Sequence, residues 1–261
     1  ENICTGKKED YEDCMIVREI SSKSILSASK IYKYVINPYV GCQFGCSYCY
    51  ARYMKKFTGH VEPWGEFVDV KVNAAELLQK EIRKKKRDQV WISGVCDPYQ
   101  PLEAKYKLTR QCLRILADNG WPVVIQTRSK LVLRDIDIIK EMKDCDAGMS
   151  ITTADDNIRK IFEPRATPVL DRVITLKELH DSGIRTFAMI APILPGAENL
   201  IELLEGKVDY IYIDRMNYDY ANTIYRKNNL EKFLDPEYFY AVSQDLADRA
   251  RKHGIECHIV F

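Results

Sequence analysis

What most constrains this chain is an alternation. Apolar stretches at 31–37, 90–95, 122–127, 148–153, 186–191 and 210–214 are separated by segments of helical pattern. The helical segments are 46–57, 74–87, 108–119, 134–144, 168–182 and 198–204, and a last helix at 236–252 precedes a final strand at 255–260. Strands that alternate with helices are joined by right-handed crossovers and lie parallel. The fold class is therefore α/β, and six main strands predict a barrel left partly open, a partial (β/α)6 barrel. At 261 residues the chain is long enough for one such barrel. Residues 1–30 read as a short N-terminal arm with a strand near 13–20, and 31–261 as the barrel domain with its C-terminal helix and last strand. No Pro-, Gly- or Ser-rich linker interrupts the pattern.

In parallel α/β barrels, functional groups sit on the loops that follow the strand C-termini. That rule selects residues 41–50, 94–101, 127–130, 150–153 with 163–165, 191–196 and 214–218. The first of these loops carries Cys42, Cys46 and Cys49 in a C-x3-C-x2-C spacing, with Gly41 and Gly45 between or beside them. One helix or strand face cannot hold three thiols so spaced; a loop wrapped around a metal centre can, and glycine lets it turn. Thiolates are the usual ligands of a [4Fe–4S] cluster, and three of them leave one iron open. Structural zinc normally takes four ligands, whereas here only His60 is near and no second cysteine pair follows. Cys4 and Cys14 are either a further metal pair or ordinary cysteines.

The charge balance, 39 Lys plus Arg against 38 Asp plus Glu, gives no global case for nucleic acid or an anionic membrane, though it leaves room for a local basic groove. No apolar run reaches the roughly 18 residues of a membrane helix. The nine cysteines are odd in number and irregular in spacing, which argues against a secreted disulfide framework and for a reducing cytoplasm. The run Arg83 to Arg87 reads either as a nucleic-acid patch or as the solvated end of a helix. Tyr210, Tyr212, Tyr218, Tyr220 and Tyr225, interleaved with bases, read either as a base-stacking surface or as cover for the barrel rim.

The cysteine spacing, with Tyr48 just before the last thiol, resembles the signature of the radical S-adenosylmethionine (SAM) superfamily. The wider run Asn37-Pro38-Tyr39-Val40-Gly41-Cys42 and the blocks Asp97-Pro98-Tyr99-Gln100-Pro101, Ser129 to Asp135, Ser150 to Thr153, Glu163-Pro164-Arg165 and Ala191 to Gly196 resemble its spore photoproduct lyase-like branch. The resemblance covers residues 34 to about 200 and implies the same partial barrel. It implies a [4Fe–4S] cluster on Cys42, Cys46 and Cys49 and SAM on its open iron. It also implies a one-electron donor such as flavodoxin or ferredoxin, and a 5′-deoxyadenosyl radical that takes hydrogen from a substrate. Nucleic acid is the substrate of the nearest named precedent, a lyase; a peptide or small molecule is the alternative, and a non-catalytic iron–sulfur carrier a third reading. For SAM, the backbone of Ser93, Gly94 and Val95 is expected at the ammonium, and Lys130 or Arg165 at the carboxylate or ribose. Ser129 and Ser150 are expected at the ribose or methionyl group, unless they are turn hydroxyls, and Tyr48 and Ile193 beside adenine. Cys96, after the second strand, is expected either to return a hydrogen atom to the product radical or to pack in the core.

Overall fold

The expected alternation is what the chain adopts. The computed structural model describes residues 15–261, so Cys4 and Cys14 lie outside the described residues. The chain divides into two units: one takes in residues up to 45, then 51–125 and 137–144, and the other 46–50, 126–136 and 145–261.

In the first unit, β1 (Ile16–Ile20), β2 (Leu26–Ala28), β3 (Tyr34–Ile36), β4 (Tyr39–Val40), β5 (Phe67–Lys71), β6 (Val90–Ile92) and the start of β7 (Val123–Thr127) form two sheets. β3, β6 and β7 are parallel neighbours, with Ile36 beside Ile92 and Ile92 beside Ile125, and β2 closes as an antiparallel edge on β3. The smaller sheet has the order β1-β5-β4. Sequence reasoning left β5 unassigned; it pairs parallel with β1 and antiparallel with β4. Val17, Tyr39, Val68 and Val70 of this small sheet pack against Leu102 and Leu108. Helices α1 (Ala74–Glu81), α2 (Glu103–Tyr106), α3 (Leu108–Asp118) and α4 (Ile136–Glu141) complete the connections.

The second unit holds β8 (Cys145–Ser150), β9 (Arg185–Ile190), β10 (Tyr210–Ile213) and β11 (Glu256–Ile259), all parallel in that order. Its helices are α5 (Asp156–Phe162), α6 (Val169–Asp181), α7 (Leu200–Leu204), α8 (Asn222–Lys227) and α9 (Pro236–Lys252). β9 and β10 are almost wholly buried, as strands covered on both faces are. α9 starts where Asp235 accepts from the Glu237 N–H with Pro236 in the first turn, and buries Phe239, Ser243, Leu246 and Ala250 along one face.

Two helix expectations are corrected. Residues 46–57 are not one helix: Cys46 to Cys49 form a turn, and a 3-10 helix runs over Tyr50–Phe57. The helix expected over 74–87 stops at Glu81, so the basic run is not its last turn. Lys85 instead donates to the Leu26 carbonyl, while Glu81 accepts from the N–H groups of Ile25 and Leu26, so the run clamps the β2 edge. Asn73 does not cap α1 with its side chain; it exchanges two 2.9 Å hydrogen bonds with the Ser22 backbone. Cys145 lies at the start of β8, not in a helix. Among the described residues no helix is long and apolar enough to cross a membrane.

Candidate active site

The loop after β4 turns where its glycines allow it. Gly41 has φ +91° and Gly45 φ +57°, and a Cβ on Gly41 would fall 2.3 Å from the Phe67 carbonyl oxygen. The loop is braced from the block that begins at Asp97: Gln43 N–H donates to Gln100 Oε1 (2.9 Å), Gln100 Nε2 to the Gly41 carbonyl (3.3 Å), and Leu102 N–H to Gln43 Oε1 (2.6 Å). Cys42 and Cys46 are buried and Cys49 half-buried, and none is in a disulfide. Burial pushes the Cys46 thiol up to about 12, against the pull of Arg128. Among the described residues no three cysteine, histidine or carboxylate side chains are drawn together into a metal-holding group. What the thiols share is one eight-residue loop and a donor chemistry, three sulfurs outside any disulfide, that suits an iron–sulfur cluster.

Tyr48, between Cys46 and Cys49, joins an ionic network with a fully buried centre. Glu163 is paired with Arg172, and both side chains are inaccessible. Its carboxylate also accepts from Tyr48 Oη and from Thr152 Oγ1 (2.9 Å) and meets Arg128 Nε at 3.5 Å, while Arg128 Nη2 donates to Tyr48 Oη (3.1 Å). Arg172 further donates to the carbonyls of Thr167 (2.7 Å) and Ser150 (2.8 Å). Burial alone would raise the Glu163 carboxyl, but the two guanidinium charges and the hydrogen bonds outweigh it and bring it to about 2. The Ser47 N–H donates to the Phe162 carbonyl (2.9 Å), so this turn of the loop is tied to α5 at two neighbouring residues. Tyr48 is thus an anchored, buried phenol rather than an open aromatic face.

The loop after β6 is organised by a residue that sequence reasoning quoted but gave no role. Asn37 Oδ1, just after β3, accepts from Ser93 Oγ (2.6 Å), Gly94 N–H (2.8 Å) and Val95 N–H (3.0 Å). Asn37 thus engages the Gly94 and Val95 amides and the Ser93 hydroxyl together and fixes the loop's course. The Ile92–Ser93 peptide is cis. Cys96 Sγ lies 3.0 Å from Ser93 Oγ and packs against the small-sheet core. Burial pushes its thiol up to about 12, so it keeps its hydrogen at neutral pH. Asp97 is buried and accepts from the Tyr99 N–H (2.9 Å).

The remaining expected residues are scattered. Ser129 caps a 3-10 turn by accepting from Leu131 N–H, and Ser150 Oγ accepts from Gln126 Nε2 (3.0 Å), which are turn and packing roles. Lys130 is exposed and paired with Asp171 at 3.1 Å. Arg165 is exposed, and Ile193 is fully buried. The tail tyrosines divide. Tyr210 stacks on Phe187 at 5.2 Å and Tyr225 packs against Phe162 at 4.7 Å, both inside the unit. Tyr218 and Tyr220 are exposed and stack in a row with Tyr50, at centroid spacings of 6.5 and 5.4 Å.

Residues 36–205 match the radical SAM superfamily. The chain belongs to the radical SAM superfamily. Its members use a [4Fe–4S] cluster and SAM, and the chain is an enzyme of that superfamily. A protein of Methanocaldococcus jannaschii of no stated activity is 36% identical over 204 residues, covering 76% of this chain and 77% of the relative. A radical SAM Nalpha-GlyT isomerase of Pseudomonas phage M6 is 27% identical over 161 residues, 61% of this chain but only 33% of the isomerase. A spore photoproduct lyase variant solved with bound AdoMet and dinucleoside spore photoproduct superposes with a TM-score of 0.69 at 14% identity, over 94% of this chain and 81% of that one. That likeness shows the shared radical SAM fold, the partial barrel expected from the βα alternation.

The Asn37 contacts carry a prediction. Asn37→Ala removes three acceptor contacts at once, and SAM affinity of the anaerobically reconstituted protein should fall roughly tenfold or more. Equilibrium binding of SAM checks this; unchanged affinity would show that the 93–95 loop keeps its position without Asn37.

Proposed function

We propose that this enzyme cleaves SAM reductively and uses the resulting radical to take hydrogen from a substrate with a planar, base-like group. The observations that carry the reading are the three-thiol loop and the Asn37-ordered 93–95 turn, in a chain of this superfamily. Cys42, Cys46 and Cys49 would hold the cluster, which when reduced supplies the electron that breaks the SAM sulfonium bond. Carbonyl oxygens of Ser93 to Val95 accept from the SAM ammonium. Tyr48 and the Glu163 network hold the turn of the loop in place. The exposed row Tyr50, Tyr218 and Tyr220 favours a substrate that stacks, such as a nucleobase. A reducing cytoplasm suits thiols that must stay out of disulfides.

In this reading Cys96 is the hydrogen-atom donor at the end of turnover, supported by a thiol that keeps its hydrogen. Its S–H bond breaks homolytically and a C–H bond forms on the product; the thiyl left on sulfur then takes hydrogen from an external thiol, whose own thiyl radical pairs with another to a disulfide. The test is anaerobic reconstitution, reduction and chromatography for 5′-deoxyadenosine, which a non-catalytic carrier does not make. Cys96→Ala should leave SAM cleavage within about twofold while product falls more than about tenfold or is diverted. Equal product yield would remove Cys96 from the reaction.

A further inference from the structure

The cysteine loop opens toward its end. Cys42 and Cys46 are buried, Cys49 is half-buried, and Tyr50 is 41% exposed. The 3-10 helix Tyr50–Phe57 follows directly, with no acidic residue and with Arg52, Lys55 and Lys56 on it. Three peptide units separate Cys49 from Arg52, so their Cα atoms lie within roughly 11 Å whatever the path. A cavity of about 480 Å³ is lined by Arg52, Tyr53, Lys55, Lys56, Gly59 and His60. The nearby carboxylates of Glu62 and Asp69 both face the His60 imidazole, each at 2.9 Å. The Lys56 ammonium lies over the rings of Phe57 and Tyr53, at 4.9 and 5.9 Å. Phe57 is 69% and Val61 85% exposed beside these cations.

The charge is concentrated beyond this helix as well. Residues 21–61 contain six lysines and arginines and no Asp or Glu, in a chain whose net charge is +1; the remainder therefore sums to −5. A cationic turn with bare apolar side chains is a protein-docking surface: the apolar groups form the buried centre and the charges the steering rim. A nucleic-acid backbone would use the cations but not Phe57 and Val61 in this arrangement, and three cations on one turn do not track a strand.

We propose that this face, Arg52, Lys55, Lys56, Phe57 and Val61, docks an acidic one-electron carrier protein that reduces the cluster. The proposal rests on the reading of the cysteine loop as the cluster site, and it places electron entry at the half-buried Cys49 end of that loop. One electron leaves the reduced carrier and enters the cluster, and the carrier departs oxidised.

The experiment compares two reductants on the reconstituted full chain, reading the rate of 5′-deoxyadenosine formation. One reductant is dithionite, which needs no docking surface; the other is an acidic flavodoxin kept reduced by its reductase. Arg52→Glu/Lys56→Glu should lose roughly tenfold or more of the flavodoxin-driven rate and stay within about twofold with dithionite. Raising salt from about 50 to about 300 mM should slow wild-type turnover with flavodoxin and not with dithionite. Equal flavodoxin-driven rates in wild type and variant overturn the proposal. So does binding of a single-stranded oligonucleotide that the variant loses while its flavodoxin-driven rate is kept. If the wild type makes no 5′-deoxyadenosine even with dithionite, the radical SAM reading of the loop fails first, and the two failures are distinguishable.

Discussion

Cys46→Ala is expected to yield protein with little iron and a rate of SAM cleavage at least about 100-fold below wild type. Loss of a group that merely orients a metal ligand typically costs 10–100-fold, and Cys46 is proposed as a ligand itself. Cys46 is buried on a loop whose turn is pinned through Ser47 and Tyr48, so no neighbouring side chain can slide in to replace it. Cys112→Ala is the control. Cys112 is fully buried in α3, and its loss should lower stability slightly while leaving iron content unchanged. Iron and sulfide analysis with the visible absorption of the reconstituted protein reads both. A Cys46→Ala protein with full iron content would sink the assignment.

Glu163→Gln is expected to cost about 3–5 kcal/mol of stability, because it leaves the inaccessible Arg172 guanidinium without its counter-charge. For a chain of this size that is a fall in Tm of roughly 10 °C. The same carboxylate predicts a pH dependence. Its folded pKa of about 2 lies below the usual 4.5. Its contribution is therefore complete above about pH 5 and is lost as pH falls from there toward 2. The shift corresponds to roughly 3 kcal/mol at neutral pH. Thermal melts between pH 3 and pH 7, values chosen to bracket most of this range, should show a steeper acid loss in wild type than in Glu163→Gln. Parallel curves would mean that Arg172 is satisfied by the Ser150 and Thr167 carbonyls alone.

The architecture was legible because parallel strands, buried on both faces, must read as short apolar runs; β8 is the exception, since Cys145-Asp146-Ala147-Gly148-Met149-Ser150 is only partly apolar and lies three residues before the stretch expected at 148–153. The last turn of α1 was not legible, although the ends of α3, α6, α7 and α9 fall within one residue of expectation. Residues 83–87 suit a helix by propensity, yet the side chains of Glu81 and Lys85 gain more from clamping Ile25 and Leu26 than the helix gains by continuing. β5 did carry a signal, since Val68-Asp69-Val70-Lys71-Val72 alternates apolar and polar residues as a half-buried strand does; what the sequence hides is its partner β1, some fifty residues earlier. At the site, the cysteines announced themselves by spacing, whereas Arg172 could not. It sits in an ordinary helix, and only the fold turns it onto Glu163, nine residues earlier. Asn37 did carry a signal, a polar residue between an apolar strand and Pro38, the kind of strand-end position that barrels use. Of the residues chosen by the same rule, Ser129 caps the turn that follows and Lys130 is an exposed partner of Asp171.

The small sheet has a consequence for synthesis on the ribosome. All its ladder partners, Ile16–Ile20, Phe67–Lys71 and Tyr39–Val40, have been made once residue 71 emerges. The cover for its oily side, Leu102 and Leu108, arrives 31 to 37 residues later. At 5–20 residues per second that is a delay of roughly 2 to 7 s. During it the nascent chain presents Val17, Val68 and Val70 uncovered, a natural moment for a chaperone to bind.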